Sequence, residues 1–276
     1  MTMKKTLTYL LVLMVPAFLF VQCNTGTQKE SSASKSVMEK VLSEQDFTPE
    51  LEKILYEFPT PFEVTVMLEK AKAGFVFDLS NPAENLDKYM TESSKALNLG
   101  VYSADLSYAA AYNRSDEIKK LMECTGQLSD DLGILGIYNQ NILTRIKNNY
   151  DQKDSLVNLI SGIFNETKSL LSDNNRDKTT LLIVSGAFVE TMYLATSLNL
   201  LTEDNEEITA IILNQKTNLE KLLQILDAFK ADDEMLNLSQ SLLPLKEFYD
   251  KNPDMATEEQ AFDIKEIVES IRNTFI

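Results

Sequence analysis

The sequence predicts an all-α fold, either a multi-helix bundle or a short α–α solenoid of antiparallel helices. Three observations carry this. Helix starts are written explicitly as a capping side chain before proline or as a capping box. No stretch shows convincing strand-like alternation. The 8 Gly and 7 Pro in 276 residues leave only short connections, as neighbouring helices in a bundle require.

The helices follow in order. Residues 37–44 begin the body. Thr48-Pro49 and Thr60-Pro61-Phe62-Glu63 open helices over 49–57 and 61–73, with Pro at the first helical position and, in the second, Glu at the third. The run Gly74-Phe75-Val76-Phe77-Asp78 reads as an apolar loop packing on the core. Asn81-Pro82-Ala83-Glu84 predicts a helix over 82–98, followed by others over 100–112, 115–130, 134–149, 153–172 and 177–200. Acid clusters mark the starts of 205–229 and 232–249, where negative charge complements the helix dipole. Pro244 marks a kink. Thr257-Glu258-Glu259-Gln260 is a capping box opening 257–275. Residues 37–276 are expected to form one domain, since a chain of this length buries roughly 70–75% of its unfolded surface.

Residues 181–201 are apolar enough to mimic a membrane span. Glu190 at the centre would cost about 2.5–3.5 kcal/mol on insertion, so a central core helix is the better reading. Sliding the chain by 86 residues pairs Gly100 with Gly186, Tyr102 with Phe188, Ala109 with Ala195 and Asn113 with Asn199. Either duplicated hairpins or the general likeness of apolar helices produces such an echo.

Composition removes whole classes of chemistry. With no His there is no Ser-His-Asp triad and no imidazole metal site. Two Cys cannot build a disulfide framework or a four-cysteine zinc site. The net charge of −16 disfavours nucleic acid, whose phosphates demand cations. Asp173-Asn174-Asn175-Arg176-Asp177 opens like a calcium loop but has Lys178 and Val184 where Gly and Glu are needed. It reads as a polar turn. Neither metal nor cofactor is expected.

The N-terminus gives an address. Lys4 and Lys5 precede an apolar run that ends at Cys23, and a polar segment, NTGTQKESSASKS, follows. This is a signal-peptide pattern ending on cysteine, and it resembles a bacterial lipoprotein signal. Phe20 and Gln22 stand where the usual motif has Leu and a small residue. Such loose motifs occur in Bacteroidota-type lipoproteins, and the body resembles their uncharacterised helical members. The resemblance implies a signal peptide over 1–22, acylation of Cys23, a flexible tether over 23–36 and anchorage in the outer membrane of the cell envelope. Loss of Lys4 and Lys5 takes the net charge from −16 to −18. An envelope protein or glycan is the expected partner class. Cys124 reads as a small core residue.

Two acids in apolar helices stand out. Asp105 shares a helix face with Tyr102, Tyr108 and Tyr112; Glu190 lies among Gly186, Ala187, Tyr193 and Leu194. A buried carboxylate needs donors or takes up a proton. The two acids are either structural, paired with Arg145, or an acid/base pair of the kind that cleaves glycosides. The tyrosines either belong to the core or line a groove for a sugar or peptide. The expected function is a non-enzymatic binding or assembly role at the envelope. The alternative is a carboxylate-only enzyme acting on envelope glycans through Asp105 and Glu190.

Overall fold

Helix α6, Asp177–Leu201, runs through the middle of the protein, with nearly every residue from Thr179 to Asn199 buried. A computed structural model describes residues 47–134, 144–146, 148–149, 152–174, 176–255 and 257–276. The other helices of the described residues include α1 Pro49–Tyr56, α2 Pro61–Lys70, α3 Glu92–Ala111, α4 Ser115–Asp131, α5 Lys153–Asp173, α7 Glu206–Ala228, α8 Asp233–Lys251 and α9 Glu258–Arg272. Two 3₁₀ segments, Phe77–Leu79 and Ala83–Lys88, lie between α2 and α3. No strand occurs among the described residues, and the fold is an all-α multi-helix bundle. These residues fall within one compact unit, Leu42–Ile276.

Local chemistry sets the helix starts. The Thr48 hydroxyl accepts from the Leu51 N–H (3.4 Å), and Glu63 accepts from the Thr60 N–H (2.8 Å). Asp232 accepts from Glu234 N and Met235 N, and Thr257 and Gln260 exchange bonds across a capping box. Each satisfies N–H groups that a helix start leaves orphaned. At the segment read as a polar turn, the Asp177 carboxylate takes the Phe47 N–H (2.8 Å). Helix α8 continues through Pro244.

One prediction fails at the start of α3. Asn81-Pro82 opens only a 3₁₀ segment, because the Asn81 side chain is drawn to Tyr89 and Asn85 and caps nothing. The helix starts at Thr91, whose hydroxyl accepts from Ser94 N (3.0 Å), and then runs unbroken through Gly100. The expected helices 82–98 and 100–112 are therefore a 3₁₀ turn and one twenty-residue helix. The expected helix 37–44 and most of 134–149 lie outside the described residues, as do Cys23, the signal segment and the tether.

Helices α3, α9, α7, α2 and α5 surround α6. Its apolar length would suit a membrane, and its burial is that of a core helix. The closest partner is α3. Glu92 meets Arg176 and Thr179, Leu97 meets Gly186, and Gly100 meets Ile183 and Ala187. The two helices, which are not neighbours along the chain, thus run parallel, in a register close to the 86-residue echo. A Cβ on Gly100 would lie 2.0 Å from the Ile183 carbonyl oxygen, and one on Gly186 would lie 2.0 Å from that of Leu97. Each helix gives up a side chain at the crossing so that the backbones touch. The echo therefore has a packing reason.

Candidate functional site

The close crossing brings two acids together. One turn beyond the glycines, Asp105 of α3 and Glu190 of α6 meet in the core, both with no solvent exposure. Arg272, in the last turn of α9, closes the cluster: its Nε and Nη2 donate to Glu190 Oε2 (2.5 Å) and Oε1 (2.9 Å). A bidentate fork of this kind is the strongest pairing a carboxylate finds in a protein. The guanidinium also lies 4.2 Å from the centre of the Tyr193 ring and donates to the Leu79 carbonyl (3.4 Å).

Asp105 is held differently. Its Oδ2 accepts the Asn81 N–H at 2.9 Å. Its Oδ1 meets no protein donor among the described residues, and the neighbouring charged groups are Glu190 and Arg272. Burial, and then the neighbouring Glu190 charge, push the Asp105 carboxyl well above the usual range. Burial also pushes Glu190 up, while Arg272 and the Asp105 hydroxyl pull it back. Glu190, forked to Arg272, is the better-stabilised anion of the two, and burial raises both carboxyls. One proton held between them, on Asp105, makes the cluster neutral, and neutrality makes burial of three ionisable groups tolerable.

The tyrosines complete the pattern. The Tyr112 hydroxyl donates to the Ala73 carbonyl (2.8 Å), Tyr108 accepts from the Val76 N–H (2.8 Å), and Tyr102 donates to the Pro82 carbonyl (2.8 Å). Together with Asp105 they form one stripe along α3, and the segment 73–91 lies along it as a strap. Phe75 stacks on Tyr108 at 4.7 Å, and the Arg114 guanidinium covers Phe75 at 4.9 Å. Burial raises Tyr108 to about 12 and pushes Tyr102 and Tyr112 up as well, so all three remain protonated. Tyr102 and Tyr108 belong to the core and Tyr112 packs against it, with this chain's own strap lying along the stripe.

Of the predicted site residues, the structure unites Asp105, Glu190, Tyr102, Tyr108 and Tyr112 around the strap. Arg145 is a correction: it is exposed and lines a surface depression with Asn149, Ser155 and Glu166. The arginine that answers Glu190 is Arg272, because the last turn of α9 packs on α6. Sequence reasoning also missed Asn81, whose backbone anchors the strap and whose side chain donates to Tyr89 (2.9 Å). The only signal was its place before Pro82, which reads as a helix cap. Cys124 is a core residue as expected, with burial raising its thiol to about 11.

Among the described residues no group of three or more His, Cys, Asp or Glu is placed to hold a metal ion. None of the described surface depressions is lined by Asp105 or Glu190. The chain has no significant match among protein-family models, curated proteins or solved structures.

Proposed function

We propose that this protein is a lipid-anchored component of the bacterial outer membrane, with a non-enzymatic binding or assembly role in the cell envelope. The observation that carries the reading is Cys23, placed at the end of a basic-then-apolar leader and followed by a polar tether. Acylation there adds about 0.8 kcal/mol of membrane affinity per buried CH₂, and several chains give stable anchorage. The helical body is then a soluble cargo on a leash, and its acidity opposes contact with anionic lipid.

The interior supports a non-catalytic role. Glycoside cleavage needs two carboxyls about 5–9.5 Å apart, on either side of a sugar. Asp105 and Glu190 instead interact directly in the closed core, and their hydrogen bonds go to Asn81 and Arg272. Their chemistry is spent on holding the helices and the strap.

Metabolic labelling with an alkynyl fatty acid in a bacterial host tests the anchor. Label on the wild-type chain and none on Cys23→Ser is the expected result, whereas an unlabelled wild-type chain refutes the anchor. Crosslinked pull-down from the two strains then tests the role. Partners recovered only with the anchored form place the protein's work at the membrane.

A further inference from the structure

Lys168 is the one buried lysine among the described residues, at 5% exposure. Its position on α5 faces the end of α1, and its Nζ donates to the carbonyls of Leu55 (3.3 Å) and Phe58 (3.5 Å). The Phe164 ring lies 5.5 Å away. No carboxylate forms an ion pair with it among the described residues. Buried cations are ordinarily matched by an anion. An ammonium has three N–H groups, and the two carbonyls take two.

No acceptor for the third N–H is found among the described residues. Lys168 lines an open surface depression of about 420 Å³ between α1 and α5, within the size range of small-molecule sites. Tyr56, Asn165 and Ser169 line it too and offer neutral donors beside an aromatic face. Glu52 and Lys53 sit at the α1 side. One buried cation beside an acidic residue suits a single negative charge better than a dianion such as phosphate. The ring of Tyr56 and the side chains of Pro49 and Leu55 suit an apolar body.

We propose that this depression binds a small monocarboxylate, whose carboxylate accepts the third N–H of Lys168 while its apolar part lies against α1. The site is independent of the lipid anchor, and nothing in the anchor's chemistry bears on it. Burial holds the Lys168 ammonium at about 8, with Glu63 of α2 opposing the shift. Glu52 and Lys53 of α1 are the other charged groups that face the depression. The carboxylate requires the charged amine, so affinity falls as pH rises past about 8, by up to tenfold per unit.

Isothermal titration of the full chain with benzoate and hexanoate at pH 7 tests this, with benzamide as the uncharged counterpart. Saturable binding of a carboxylate is expected, weaker by at least about tenfold for benzamide and for Lys168→Met. Asn165→Asp keeps the lysine but adds a repelling charge, and is expected to weaken binding by a similar factor. It carries the test if Lys168→Met does not fold. The proposal is overturned if neither carboxylate binds saturably up to about 10 mM. It is equally overturned if benzamide binds as well as benzoate, or if Asn165→Asp leaves affinity unchanged.

Discussion

Replacing Asp105 by Asn should make the protein's stability less sensitive to pH, in a direction opposite to the usual carboxylate. Most acids in proteins are ionised and paired, and stability is lost on acidification. Asp105 keeps its proton in the folded state because burial and Glu190 raise its carboxyl. The unfolded chain releases that proton near the ordinary value of 3.8. Between that pH and the raised folded value, the folded state binds one more proton than the unfolded state. Wild-type stability therefore falls by about 1.4 kcal/mol for each pH unit through the window. Two such units amount to about 2.7 kcal/mol, a large share of a typical stability of about 5–15 kcal/mol. Asparagine mimics the protonated acid: its oxygen accepts the Asn81 N–H and its amide donates to Glu190. It also buries one unpartnered N–H, which costs about 1–3 kcal/mol at every pH. That cost sets the offset between the two proteins, while the lost proton sets the slope. Urea unfolding of wild type and Asp105→Asn, followed by circular dichroism from pH 4 to 8, measures both. The stability difference should move in favour of the variant as pH rises. Parallel pH profiles would show that Asp105 is ionised in the folded protein, and the shared-proton account would be wrong.

Other expectations follow from the same geometry. Glu190→Gln should cost only about 1–2 kcal/mol, because Asp105 then loses its proton and becomes the counter-charge for Arg272. Combined with Asp105→Asn it strands the guanidinium, and the double variant should lose about 0.5–3 kcal/mol more than the sum of the two singles. Additive losses in denaturant melts would sink the idea of a shared proton. Gly100→Ala and Gly186→Ala each force a methyl to within 2.0 Å of a facing carbonyl oxygen and should destabilise by about 3 kcal/mol or more. Gly162→Ala, where nothing lies within 4 Å, should instead stabilise α5 by about 0.5–1 kcal/mol, and thermal melts give the signs. Tyr108→Phe removes the acceptor of the Val76 N–H and should cost about 1–2 kcal/mol, with faster hydrogen exchange at Val76.

Much of the fold was legible because its signals are local. Thr48, Thr60, Asp232 and Thr257 each announce a helix within four residues, and the structure uses all four. Asn81-Pro82 carries the same signal and deceives, because the pull on Asn81 comes from Tyr89 and from Asp105, the latter 24 residues away. The site was half legible for a related reason. A carboxylate on an apolar helix face stands out in the sequence, so Asp105 and Glu190 were found. The choice among four arginines is a question of which helix end reaches α6, and spacing along the chain contains no answer to it. Arg145 and Arg272 both sit in apolar-flanked stretches, ILTRI and ESIRNTFI, and Arg272 lies four residues before Ile276. Only the packing of α9 on α6 separates them. Lys168 escaped notice because a lysine on an amphipathic helix normally extends to solvent.

The glycines, the acids and the strap form one chain of causes. Gly100 and Gly186 let α3 and α6 touch backbone to backbone. At that separation the first long polar side chains beyond the crossing have no room to avoid each other, so Asp105 and Glu190 share a dry interface. One positive charge from α9 and one proton make that interface neutral. The remaining oxygen of Asp105 is left to accept Asn81 N, and the tyrosines spaced along the same helix face accept or donate to the strap on either side of it. The cluster therefore ties α3, α6, α9 and the 73–91 strap to a single protonation state. A change at either glycine should loosen all four together: in Gly186→Ala, hydrogen exchange should rise at Val76 and Asn81 as well as along α6. Exchange confined to α6 would show that the strap is held by the tyrosines alone and owes nothing to the crossing.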